Sequence, residues 1–201
     1  MTNFGTMQDR IADELDRSDL TTQIQAAIQS AIAFYQDERF FFNEGVTNIV
    51  TATASEAYAV SSILDIDYVV VNVNGHPADM TPRPFDYIDS IRDPSYTGIP
   101  HQYGIFADQM YVYPVPNDVY TIEVAGCIAL GTLTATADTN AWMTSGEELI
   151  RRRAKADLCN DILKDYEEAD RQTQLELRAL ERLKARTFSK VRSGGIIPTE
   201  F

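Results

Sequence analysis

The feature that most constrains this chain is its last fifty residues. From 147 to about 190 no Gly or Pro occurs, and an apolar stripe runs through Leu149, Ile150, Ala154, Leu158, Ile162 and Tyr166, then Leu175, Ala179, Leu180 and Leu183. That recurrence is helical. As one straight rod, residues 146–190 would span roughly 65 Å at 1.5 Å per residue. A compact domain of this size is only about 40 Å across. The run must break, for which the polar stretch 165–172 is the natural place, or project beyond the body. Thr144 and Ser145, each followed three residues later by a Glu (Glu147, Glu148), carry capping-box spacing and set the expected start.

A second helical layer is expected at the other end. Ile11, Ala12 and Leu15 are spaced for a short amphipathic helix over about 6–17. Asp19 offers an N-cap for a longer one, about 19–36, whose apolar face is Leu20, Ile24, Ala27, Ile28, Ala31 and Ile32. Between the two layers, about 40–130, the period changes to that of strands. Tyr68, Val69, Val70, Val71 and Val73 are β-formers closed by Asn74-Gly75, a hairpin signal. Residues 102–106 and 109–113 flank Ala107-Asp108, and 119–128 alternates. Pro82 and Pro84 exclude a central strand around them, and Pro84 can open a short helix through Ile88. The expected fold is α+β: an N-terminal helix pair, a central antiparallel β unit of about five to seven short strands, and a long C-terminal helix or helix pair with an extended tail. One domain is expected over 1–192, with helices at about 145–190, followed by a flexible tail at 193–201 behind Ser193-Gly194-Gly195.

Charge narrows the partners. The net charge is −13, and its excess lies in the first three quarters: residues 1–50 carry eight acidic against three basic, and residues 51–145 eleven against two. Residues 146–201 are nearly balanced, eleven against twelve. A body this acidic has no footprint for gripping phosphates, although DNA could pass it without being trapped. The N-terminus lacks a basic start and an apolar core, so no secretory leader is expected, and no apolar run approaches the length of a membrane span. Cys127 and Cys159 read as ordinary buried thiols of a protein made in the cytoplasm.

A search for chemistry returns nothing catalytic, no metal site and no cofactor. His76 and His101, the only histidines, lie in no zinc-like spacing, and no phosphate loop or nucleophile elbow occurs. Asp86, Asp89 and Asp93 are spaced for one side of a short helix, better read as a solvated face than as a cation site. Arg151, Arg152, Arg153 and Lys155 are the one basic cluster. On a helix they fan over most of the circumference, which suits intrahelical or intersubunit pairing with Glu147, Glu148 and the acidic body more than a nucleic-acid patch.

The order of elements carries a resemblance. Two amphipathic helices run into Tyr35-Gln36-Asp37-Glu38-Arg39-Phe40-Phe41-Phe42-Asn43-Glu44; a β unit follows with Met110-Tyr111-Val112-Tyr113-Pro114-Val115-Pro116; then come Trp142 and the helix beginning Glu148-Leu149-Ile150-Arg151-Arg152-Arg153. This resembles the head-to-tail adaptor (connector) proteins of tailed bacteriophages and related gene-transfer particles. The resemblance implies a structural neck protein of the virion, no enzyme, forming a ring with copies of itself (typically twelve) beneath the portal. Its partners would be the portal protein and a downstream tail or nozzle protein, with DNA passing through unread and no membrane involved. Carried onto this chain, it implies portal contact through Ile196, Ile197, Pro198 and Phe201. Arg151, Arg152, Lys155 and Phe41 are the candidate subunit-interface residues. The competing readings are another neck or tail-completion ring protein, which usually lacks paired N-terminal helices together with a long C-terminal one, and an acidic cation-binding host protein.

Overall fold

Helix α1 (Phe4–Leu15) starts two residues before the sequence expectation because its cap lies ahead of the apolar run. Asn3 and Thr6 form a reciprocal capping box: the Thr6 N–H donates to Asn3 Oδ1 and the Asn3 N–H to Thr6 Oγ1, both at 2.8 Å. Asp16 closes the helix in the left-handed region, φ 51°. Helix α2 (Thr21–Tyr35) corrects a second expectation. Its N-cap is Leu20, with no side-chain cap. Asp19 is instead held by Arg17 in a bidentate pair, both contacts at 2.7 Å. A charge-assisted fork of this kind outcompetes a neutral N–H for the carboxylate.

The computed structural model describes residues 2–192, and two compact units emerge. The helical unit takes the chain up to Asn43 and from Leu130 onward; the β unit is Glu44–Ala129. Where one domain was expected from the sequence, each unit has its own apolar cluster.

In the helical unit, the expected cap at Thr144 and Ser145 is also corrected. These residues close a short helix, α4 (Ala141–Thr144), and the Ser145 N–H donates back to Ala141 O. Helix α5 (Glu147–Leu158) then begins at Gly146 without a side-chain cap, its first turn carrying Glu147 and Glu148, the sign a helix N-terminus favours. The long run does break. A π-helical turn (Cys159–Leu163) leads to Lys164 in the left-handed conformation, φ 56°. Asp165 caps the next helix, accepting from the Glu168 N–H at 3.1 Å, and α6 (Tyr166–Arg192) follows, roughly 40 Å long. The interruption lies at the leading edge of the stretch proposed from polarity. Its sequence signal is Asp165-x-x-Glu168, a capping pair. At the centre of the unit Trp142 is buried, with Phe40 and Phe42 edge-on at centroid distances of 5.7 and 5.0 Å.

The β unit contains ten strand segments. Six have four or more residues: β1 (Glu44–Val50), β3 (Ile63–Val73), β4 (His76–Asp79), β7 (Gln102–Phe106), β8 (Gln109–Tyr113) and β10 (Thr121–Ile128). The shorter ones are β2 (Ala57–Ala59), β5 (Thr81–Pro82), β6 (Thr97–Gly98) and β9 (Val115–Pro116), and the one helix is α3 (Phe85–Ile91). One sheet has the order β1-β10-β3-β4, a second β2-β8-β7-β5, and β6 pairs with β9. Pairing is antiparallel except for the two-residue contacts β5–β7 and β6–β9, which are parallel. The expected hairpin at Asn74-Gly75 forms, and the two strands flanking Ala107-Asp108 make another; all four residues occupy positive φ at the two-residue turns. A bulge separates Ala125 from Gly126, where a Cβ would sit 2.0 Å from Asp65 O, so only glycine fits.

Candidate assembly surfaces

The basic cluster of α5 is distributed as the helical wheel requires, each residue to a different environment. Arg151 is 4% exposed. Its Nη1 donates to both carboxylate oxygens of Glu14 at 2.8 Å, and its Nε to Glu147 Oε1 at 3.0 Å. Lys155, 5% exposed, donates to Glu14 Oε2 at 3.0 Å. Arg10 joins from α1, reaching Glu147 at 3.1 Å and Glu14 at 3.2 Å. Two carboxylates thus serve three cations and tie α1 to α5. Burial works to raise the Glu14 carboxyl, but the Lys155 hydrogen bond and the Arg151 charge outweigh it and hold the group below its ordinary range. The intrahelical pairing with Glu147 read from the sequence is present. Glu14, 137 residues from Arg151, is the partner that spacing could not reveal.

Arg152 donates to Gln172 Oε1 at 3.0 Å, and burial, then repulsion from Arg151, pushes its guanidinium below the ordinary value. Arg153 lies over the Phe34 ring at 4.1 Å and bridges Asp157 and Glu176 at 3.3 and 3.4 Å. Glu176, almost fully buried, also accepts the Tyr35 hydroxyl at 2.5 Å. Burial and then that bond push the phenol upward.

Phe41 sits in the turn after α2, engaged by its own α6. Lys190 Nζ lies 3.8 Å and Arg186 Cζ 4.6 Å from its ring centre, and its N–H donates to Thr187 Oγ1 at 3.2 Å. Ile196, Ile197, Pro198 and Phe201 lie outside the described residues.

The remaining candidates do not converge. His76 is on β4 and His101 precedes β7, stacked edge-on to Tyr113. Cys127 and Cys159 are both buried, and burial, then Glu168, raises the Cys159 thiol. Asp89 pairs with Arg92 at 3.7 Å, and Asp93 accepts from the Ser95 N–H and hydroxyl. Among the described residues no group of three or more His, Cys, Asp or Glu side chains is placed to hold a metal ion. None of the described helices is long and apolar enough to cross a membrane.

What stands out instead is open apolar surface bordered by charge. On α6, Leu177 and Phe188 are exposed on one helical face with Glu181 and with Lys184, which bridges Glu38 at 2.9 Å. In the β unit, Val46, Val50 and Tyr68 project from the face of the sheet opposite its core. Sequence periodicity marks the buried face of each element but not which apolar residues of its outer face are exposed.

The family model described as SU10 adaptor protein matches residues 2–196. No curated protein matches the chain.

Proposed function

The chain belongs to the SU10 adaptor protein family of phage head–tail adaptors, and from that premise we propose that it is the neck component that joins a DNA-filled capsid to its tail. The family match over nearly the whole chain is the observation that carries this reading. In the proposed particle, copies of the chain form a ring, of about twelve, beneath the portal, and DNA passes through it during retention and ejection. The residues after α6, with Ile196, Ile197, Pro198 and Phe201, bind the portal. Each buried Ile or Phe contributes on the order of 1.5–3 kcal/mol before ordering costs. Repetition around a ring turns such weak contacts into firm attachment. A downstream tail or nozzle protein binds on the other side.

Three features support the reading. The charge division leaves the β unit with eleven acidic and two basic residues, a surface along which DNA slides without being held. Helix α6 runs for 27 residues to Arg192, and in the sequence Ser193-Gly194-Gly195 and then the apolar segment follow it. The buried networks at Glu14 and Glu176 lock the helices of each copy together, so that the copy can dock as a preformed part.

The test is to mix the purified protein with capsids carrying the cognate portal and image the portal vertex. A ring of density there is expected. Bare portal vertices at saturating protein would sink the assignment. Deleting residues 194–201 should leave the melting temperature unchanged and abolish attachment; a truncated protein that still docks removes the tail from the portal contact.

A further inference from the structure

We draw no further inference here: the strongest candidate, the apolar groove of about 360 Å³ in the helical unit lined by Ile32 and Ala33 of α2 and by Leu130 and Leu133, carries none because nothing in the structure shows what covers it.

Discussion

Glu14 on α1 receives the Arg151 guanidinium on both of its carboxylate oxygens at 2.8 Å, across 137 residues of chain. Lys155 shares the same carboxylate at 3.0 Å. Both cations are buried in the helical unit, so Glu14, with Glu147 at the Arg151 Nε, supplies the negative charge that makes their burial tolerable.

Replacing Glu14 by Gln keeps its shape and removes its charge. The expected cost is about 2–4 kcal/mol, because buried Lys155 loses its counter-charge and buried Arg151 is left with Glu147 alone. For a chain of this length that lowers the melting temperature by roughly 5–10 °C. Calorimetry checks it, with Arg17→Ala as the control: the Arg17–Asp19 pair is at the surface, and its loss should leave the melting temperature essentially unchanged.

The same carboxylate predicts an acid response. Its folded value lies below the ordinary 4.5. Its contribution is therefore complete above about pH 4.5 and is lost as pH falls through the lower folded value. Asp157, whose carboxyl burial pushes up, acts with the opposite sign and is common to both proteins. The difference in melting temperature between wild type and Glu14→Gln should thus be constant near neutrality and shrink below about pH 4.5. A difference independent of pH across that range refutes the ionic role.

Trp142 is the only tryptophan and is buried in the helical unit, so its fluorescence follows that unit. Gly126 belongs to the β unit, where a methyl group would meet Asp65 O. Gly126→Ala should destabilise the β unit by about 3 kcal/mol through overpacking. In urea, the circular dichroism transition should move to lower concentration more than the tryptophan transition does. Coincident shifts in both signals would show that the two units unfold as one.

Lys164 holds the left-handed position between α5 and α6. Glycine takes that conformation without the Cβ penalty, so Lys164→Gly should stabilise by roughly 0.5–1 kcal/mol. Lys164→Pro, whose ring fixes φ near −65°, should be strongly destabilising. Denaturant midpoints measure both.

How much of this could be read in advance follows from how local each determinant is. Asn74-Gly75 announced its hairpin because two residues fix that turn. The stripes of α2, α5 and α6 announced their buried faces because apolar spacing is itself the cause of burial. Caps were less legible. Asp19 and Ser145 both carry the right chemistry, but a neighbouring Arg17 claimed the first and a preceding helical turn the second. The division into two units depends on which strands return to which layer, and Glu14 meets Arg151 only once that is settled. Of the assembly surfaces, charge and apolar content were visible; exposure was not, because it depends on what each face fails to touch.

The β unit enters at Glu44 and leaves after Ile128, and its first and last long strands pair, Glu44 opposite Cys127. A segment whose two ends meet behaves as a cassette. Natural variation or a designer can lengthen, trim or exchange it for another of like spacing without asking Phe40, Trp142 and their neighbours to repack. Under the proposed role, such a chain can vary the surface of one unit and keep the helices of the other.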